Sequence, residues 1–150
     1  CDDSVARVVE GAPVLLRRSR GLAPVPLALA DDGPCVLAVG GDLKAACCVA
    51  LDRRAILGQH VGDLESVETQ AALDASARHL LAAWRAEPAA IACDLHPAYH
   101  GARWAAAEAA RRGVPCVRVQ HHHAHAAAVL AEHGHAGRAL ALTLDGTGYG

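Results

Sequence analysis

The sequence predicts an α/β fold with helices on a mixed β-sheet, and three observations carry that prediction. Short apolar runs bounded by Gly, Pro or Asp are typical of buried strands. Longer segments with apolar residues at helical spacing separate the later runs. The first three runs have connections too short for crossovers, so we expect them to pair antiparallel. From residue 35 the predicted order is β-β-β-α-β-α-β-α, followed by one more strand and a glycine-rich loop.

Local signals along the chain place each element. Ser66 is a favourable N-cap for a helix whose apolar positions recur from Leu73 to Trp84, and Pro88 ends it. Gly113 closes a second helix, and a histidine-rich segment begins the third. The predicted strands are 35–39, 46–51, 55–59, 89–93, 114–119 and 138–144, and the second and third helices are 100–112 and 121–133.

Residues 1–29 predict a connector ahead of this α/β unit. Two segments with strand character, 5–9 and 14–18, are separated by a glycine and a proline. Two further prolines impose an extended path. The Asp-Asp-Gly-Pro turn at 31–34 then marks the start of the next unit.

The composition limits the classes of function. The chain of 150 residues is 53% hydrophobic without Phe or Met, so its core must consist of Ala, Val and Leu. A net charge of -2 gives no electrostatic case for binding nucleic acid or a membrane surface. No apolar run is long enough to span a bilayer, and no secretory signal opens the sequence. The six cysteines form no C-x-x-C pair, which predicts buried thiols in a reducing cytoplasm, with a catalytic thiol as the alternative.

The run Gln120-His121-His122-His123-Ala124-His125 is the most specific chemical signal in the chain. Residues four apart lie on the same face of a helix, so His121 and His125 would aim their imidazoles at one point. Two neutral imidazoles at that separation can chelate a divalent metal. A surface cluster of histidines is the alternative from spacing alone.

Two glycine turns occupy equivalent places after apolar strands, and the element order resembles one lobe of the actin-like ATPase (ribonuclease H-like) fold. That fold binds nucleotide between two lobes. Glycines let backbone N–H groups approach phosphate oxygens, and an aspartate can hold a metal or its water. The resemblance assigns nucleotide contacts to Gly40, Gly41, Asp42 and Lys44 in the first turn and to Asp145, Gly146 and Gly148 in the second.

Several motifs together resemble the carbamoyltransferase HypF family of [NiFe] hydrogenase maturation factors. They occur in order along essentially the whole chain, and their combination is very specific. The motifs are CDDSV at 1–5, LLRRSRG at 15–21, LAVGGDLK at 37–44, QHVGDLE at 59–65, CDLHP at 93–97, VQHHHAH at 119–125 and LDGTGYG at 144–150.

The resemblance implies a division of the chain and a reaction. Residues 1–20 would end a YrdC-like domain, 21–34 would be a linker, 35–135 the first lobe of the transferase domain, and 136–150 the start of a second lobe. In that family carbamoyl phosphate and ATP give carbamoyl-adenylate, whose carbamoyl group passes to the C-terminal cysteine thiol of the partner HypE. That thiocarbamate is the precursor of the cyanide ligand of the hydrogenase iron.

The resemblance also assigns roles to individual residues. It implies that His121, His125 and Asp145 hold a divalent metal, for which imidazole and carboxylate ligands suit zinc or iron(II). His122 and His123 share the motif but would point away from the chelating face of the helix, where they would support a ligand residue or pack against the fold. Lys44 could instead be a solvated side chain. Asp94 and His96 end a strand, where open α/β sheets place ligands, and their alternative role is to form the turn ahead of Pro97.

Two other functions stay open at this level. One is a tRNA threonylcarbamoyl transferase, whose family carries a related H-x-x-x-H motif. The other is a metal-binding or nucleotide-binding module without activity. The sequence also indicates a fragment of a longer protein, which stops one strand into the second lobe. We expect such a fragment to be inert and poorly stable by itself.

Overall fold

The computed structural model describes residues 3–146 and 149–150 and shows the predicted α/β architecture. Eight strands and three helices form in the described part of the chain, together with a short 3-10 helix at Asp42–Lys44. The strands are β1 Val5–Val9, β2 Ala12–Arg17, β3 Leu27–Ala28, β4 Val36–Val39, β5 Cys47–Leu51, β6 Arg54–Leu57, β7 Ala90–Asp94 and β8 Cys116–Val119. The helices are α1 Val67–Trp84, α2 His100–Arg112 and α3 His121–Glu132.

A six-stranded mixed sheet with the order β3-β6-β5-β4-β7-β8 forms the centre of the molecule. Strands β4, β5 and β6 pair antiparallel, as their short connections predict. Strands β7 and β8 follow helices and join parallel to β4. The tight β5–β6 turn has positive φ at both Asp52 and Arg53, which suits the twist of a two-residue hairpin.

One face of the sheet carries the hydrophobic core. Alternate residues of β4, β5 and β7 are buried there against α1 and α2. The N-cap of α1 is Ser66, whose side chain accepts from Thr69 N, so that prediction is confirmed. The largest buried apolar side chains are Leu37, Val49, Ile56, Leu64, Leu73 and Ile91, so two isoleucines join the Ala, Val and Leu that the composition predicts.

The opposite face of the sheet carries small side chains and lies beneath α3. Ala38, Cys48 and Ala92 are neighbours in the register of this face. Together with Ala124 and Ala128 of α3 they line a cleft of about 370 Å³. Small residues on both surfaces leave the room that this cleft occupies.

Three parts of the sequence prediction need correction. Strand β3 falls inside the predicted connector and pairs with β6 at the edge of the sheet. The third predicted strand ends at Leu57 rather than residue 59. Residues 138–144 form no strand, since they pair with no segment in the described part of the chain and a strand without a ladder is not stable. Their leucines are consequently exposed (Leu140 by 102%, Leu142 by 82% and Leu144 by 85%).

The amino-terminal residues form a separate two-stranded sheet. Strands β1 and β2 pair antiparallel, and most of their side chains are exposed. Ser19 follows this hairpin and is fully buried. Its backbone N–H donates to Ser4 Oγ at 2.9 Å, which fixes the end of the hairpin against its beginning.

Candidate functional site

The first turn of α3 places two histidines side by side. The helix begins directly after β8, and its N-cap Gln120 accepts a hydrogen bond from His123 N at 2.8 Å. His121 is therefore the first helical residue, and His125 lies one turn later. Their Nε2 atoms are 3.2 Å apart, so the two rings converge as the i, i+4 spacing predicts.

Asp145 completes a group of three donors. Its Oδ2 lies 3.0 Å from His121 Nε2 and 3.4 Å from His125 Nε2. One ligand atom from each residue lies within 4.8 Å of the others. Ligands bound at 2.0–2.1 Å around a tetrahedral zinc ion are about 3.3 Å from one another. The donor types and their separations therefore fit a divalent metal.

A buried carboxylate supports His121 from the other side of its ring. Asp94 ends β7, is 6% exposed, and places Oδ2 2.6 Å from His121 Nδ1. Its Oδ1 accepts from His96 N at 2.8 Å. Asp94 thus makes both a turn contact ahead of Pro97 and a contact to the candidate site, two roles that the sequence left as alternatives.

His122 contacts the same aspartate through its other oxygen, which is one of the supporting roles that the motif left open for it. Its Nε2 lies 2.7 Å from Asp145 Oδ1, because Asp145 lies over the amino-terminal end of α3, within reach of adjacent first-turn side chains. Desolvation would raise the pKa of Asp145. The charges that His122, His121 and His125 carry when protonated, and the hydrogen bond from His122, outweigh it and lower the pKa of Asp145 below its usual value.

The first glycine turn lies against the histidines. A Cβ at Gly41 would be 3.4 Å from His121 Cε1 and 3.5 Å from Tyr99 Cε2. A Cβ at Gly101, in the first turn of α2, would be 3.1 Å from the carbonyl oxygen of Gly40. Glycine at these positions therefore permits the close approach of the turn, the amino terminus of α2 and the His121 ring.

Asp42 holds the amino terminus of α2. Its Oδ2 accepts from His100 N at 2.8 Å and its Oδ1 from Gly101 N at 3.0 Å. Tyr99, the N-cap residue of α2, makes no capping bond with its side chain. Asp42 thus caps the helix from 58 residues away, and both its oxygens are occupied by these amides.

The other predicted contacts lie around the cleft between the sheet and α3. Gly40, Gly41, Asp94, His121 and His125 all line it, and Lys44 lines it with an exposed side chain. On the outer side of α3, Asp145 lies in a larger groove of about 1020 Å³ that the helix forms with residues 139–145. Gly146 follows Asp145, and a Cβ built on it would have no neighbouring atom within 4 Å in the described part of the chain. The predicted contact at Gly148 lies outside the described residues.

Tyr99 adds an aromatic wall beside these acidic groups. Its ring stacks on His96 with centroids 4.2 Å apart. Desolvation raises the pKa of Tyr99, and the charges of Asp94, Asp42 and Asp145 raise it further. The phenol therefore stays neutral at physiological pH, next to three carboxylates.

Comparison with known proteins gives one consistent family. A family model described as the HypF Kae1-like domain matches residues 31–132. The carbamoyltransferase HypF2 of Cupriavidus necator is 47% identical over the whole chain, and the carbamoyltransferase HypF of Rhizobium leguminosarum is 44% identical over 99% of it. The chain spans about a fifth of each relative's length (19% in both cases).

Two solved structures match the fold. A crystal structure of full-length HypF in the phosphate- and nucleotide-bound form aligns with a TM-score of 0.92 at 34% identity, over 99% of this chain and 23% of that one. T.kodakarensis HypF aligns with a TM-score of 0.87 at 35% identity, over 99% of this chain and 20% of that one. The predicted ribonuclease H-like lobe is confirmed by these matches. The chain belongs to the HypF family, in the region of its Kae1-like domain.

Proposed function

We propose that this chain forms one wall of the carbamoyl-transfer site of a HypF carbamoyltransferase in [NiFe] hydrogenase maturation. One observation carries the proposal: segments far apart in sequence converge at the first turn of α3. A Cβ built on Gly41 would lie 3.4 Å from His121 Cε1, and Asp145 Oδ2 lies 3.0 Å from His121 Nε2. Turns that only connect strands and helices are not expected to converge on a pair of imidazoles.

The proposed reaction is the ATP-dependent transfer of the carbamoyl group of carbamoyl phosphate. Carbamoyl-adenylate is the intermediate, and the C-terminal cysteine thiol of HypE is the acceptor. The relatives' names support carbamoyl transfer, and a phosphate- and nucleotide-bound HypF structure with the same fold supports a nucleotide substrate. The family match favours this reaction over threonylcarbamoyl transfer to tRNA.

His121, His125 and Asp145 would hold the metal, with zinc and iron(II) as the candidates. A bound divalent ion supplies positive charge that neutralises an adenylate phosphate and orients the acyl donor. Gly41 has no side chain to block a phosphate from its backbone N–H group. Gly40 lines the same cleft, but its N–H donates to Ala46 O at 3.2 Å. Lys44 adds a cation at the mouth of the same cleft.

The domain division stays part of the proposal. We place the end of a YrdC-like domain at 1–20, a linker at 21–34, the first lobe at 35–135 and the start of a second lobe at 136–150. Within the proposed linker, Leu27 and Ala28 pair with β6 of the lobe, so this part of the linker is attached to the sheet.

The cytoplasm is the proposed compartment. Residues Cys35, Cys47, Cys48, Cys93 and Cys116 are free thiols, as a reducing environment would keep them. Burial raises the pKa of the Cys48 thiol to about 11, so it is a poor nucleophile. No described helix is both long and apolar enough to cross a membrane.

The experiment separates the two half-reactions in the full-length protein that we propose contains this chain. His121→Ala with His125→Ala should remove stoichiometric metal and abolish carbamoyl transfer to HypE. Carbamoyl-phosphate-dependent ATP–pyrophosphate exchange should persist, because the resemblance places that step in the YrdC-like domain. His133→Ala is the matched control, since this exposed residue ends α3 and uses only its backbone N–H, which donates to Val129 O.

Three results would contradict the proposal. Full metal content in the double variant would show that the ligands lie elsewhere. Retained carbamoyl transfer without metal would show that the cluster serves another purpose. Wild-type protein that binds metal and nucleotide but transfers no carbamoyl group would indicate a binding module without activity.

A further inference from the structure

A buried carboxylate lies behind His121, on the side of the ring away from Asp145. Both oxygens of Asp94 are committed to protein donors, Oδ2 to His121 Nδ1 at 2.6 Å and Oδ1 to His96 N at 2.8 Å. Only 6% of Asp94 is exposed. Asp94 therefore acts on the site through His121, and the function proposed above assigns it no role.

We propose that Asp94 is a positioning residue that fixes the tautomer of His121. An ionised carboxylate only accepts hydrogen bonds, so His121 must donate from Nδ1. The lone pair of a neutral ring then lies on Nε2, the nitrogen that faces Asp145 Oδ2 at 3.0 Å. A neutral imidazole binds a metal only through its unprotonated nitrogen. This inference rests on the proposed metal site and deepens it.

The backbone around Asp94 keeps this contact in one geometry. The hydrogen bond from His96 N fixes one carboxylate oxygen and leaves the other aimed at the ring. A Cβ at Gly41 would lie 3.7 Å from Asp94 Oδ2 and 3.4 Å from His121 Cε1, so the turn covers the hydrogen bond closely. The carboxylate sets which nitrogen carries the proton, and the turn limits rotation of the ring.

We expect Asp94→Asn to weaken metal binding more than Asp94→Ala does. This order is the reverse of the usual one, in which the nearly isosteric substitution is the milder. In Asp94→Asn the amide oxygen can keep its bond from His96 N, which directs the NH₂ group at His121 Nδ1. An NH₂ group donates, so Nδ1 must accept and the proton moves to Nε2, where it blocks metal binding. In Asp94→Ala the ring is free to take either tautomer. The nearly isosteric Asn variant should therefore bind metal more weakly than the Ala variant.

The test uses the full-length protein and two measurements. Chelator competition with Zn²⁺ gives the affinity, for which we expect about a ten-fold loss in Asp94→Ala and about a 100-fold loss in Asp94→Asn. Ring ¹⁵N shifts are measured on metal-free protein that carries Asp145→Ala, because this removes the carboxylate that faces His121 Nε2 at 3.0 Å. They should place the His121 proton on Nδ1 when Asp94 is intact and on Nε2 in Asp94→Asn. Asp74→Asn is the matched control, because this carboxylate accepts from Trp104 Nε1 at 3.0 Å and contacts no site residue.

Each outcome decides the inference. An Asn variant that binds Zn²⁺ better than the Ala variant would overturn it, since a packing role predicts that order. A His121 proton on Nε2 in the Asp145→Ala protein with Asp94 intact would also overturn it, even if neither Asp94 variant folds. Wild-type protein that binds no Zn²⁺ would refute the proposed metal site, while the ring shifts would still decide the role of Asp94.

Discussion

Asp42 should stabilise the fold rather than bind phosphate directly, and Asp42→Ala tests this. Its carboxylate accepts from His100 N at 2.8 Å and from Gly101 N at 3.0 Å, at the amino terminus of α2. A hydrogen bond to a charged group contributes about 1.5–3 kcal/mol, and loss of an N-cap costs about 0.5–2 kcal/mol. Because these amides are only partly buried, we expect a loss of about 2–3 kcal/mol in the free energy of unfolding.

Urea and thermal unfolding of the 150-residue chain, followed by the helical signal, measure this loss. For a chain of this size the expected change in melting temperature is about 5–10 °C. Asp42→Asn keeps one acceptor oxygen and should recover about half of the loss. Asp63→Ala is the control, because this exposed aspartate accepts a single amide bond from Glu65 N ahead of α1.

A second measurement on Asp42→Ala separates the structural role from a phosphate role. If Asp42 acts through α2, the full-length variant should retain nucleotide binding within about ten-fold. A free energy of unfolding of Asp42→Ala within about 0.5 kcal/mol of wild type, the range for ordinary surface substitutions, would contradict the structural role of Asp42. Loss of nucleotide binding while stability is retained would also contradict that role, since the carboxylate would then contact the nucleotide.

Three further predictions concern α2, α3 and the segment after α3. Two arginines lower the pKa of Glu108 to about 2 through hydrogen bonds and charge, so its stabilisation is complete above about pH 5 and is lost as the pH falls toward 2. Glu108→Gln should lower stability by about 1–3 kcal/mol at pH 7 and by little at pH 2 in pH-dependent urea unfolding. His122→Ala removes the 2.7 Å contact to Asp145 and should weaken Zn²⁺ binding about ten-fold in chelator competition, whereas His123→Ala should not. Limited proteolysis should cut residues 136–146 first, and Zn²⁺ should slow that cleavage; equal rates with and without Zn²⁺ would contradict a metal ligand in this segment.

Periodicity and caps predict the helices and the core strands because their causes are local. The hydroxyl of Ser66 accepts from Thr69 N three residues later, so the start of α1 is visible in the sequence itself. The spacing of His121 and His125 likewise determines that their rings lie on one face of α3. Both features depend only on helical geometry, and both occur in the structure.

The contacts that sequence reasoning missed join residues far apart in the chain. Asp42 caps a helix that begins 58 residues later, and Asp94 supports a histidine 27 residues later. Neither pairing has a periodicity, because the order of the strands in the sheet brings the residues together. The one available signal was the acidic residue at the end of β7, since ligands bind at the carboxyl ends of strands in open α/β sheets.

The three candidate ligands differ in how firmly the fold holds them. His121 is fixed by Asp94 and the Gly41 turn, and His125 follows on the same helix. Asp145 lies on a segment that pairs with no described strand and whose leucines are exposed. Ordering such a segment costs roughly 1–2 kcal/mol of backbone entropy per residue, which the contacts of one carboxylate to histidines cannot offset. Metal affinity and the order of this segment should therefore be two aspects of one equilibrium, so that whatever covers the exposed leucines also tightens the metal site.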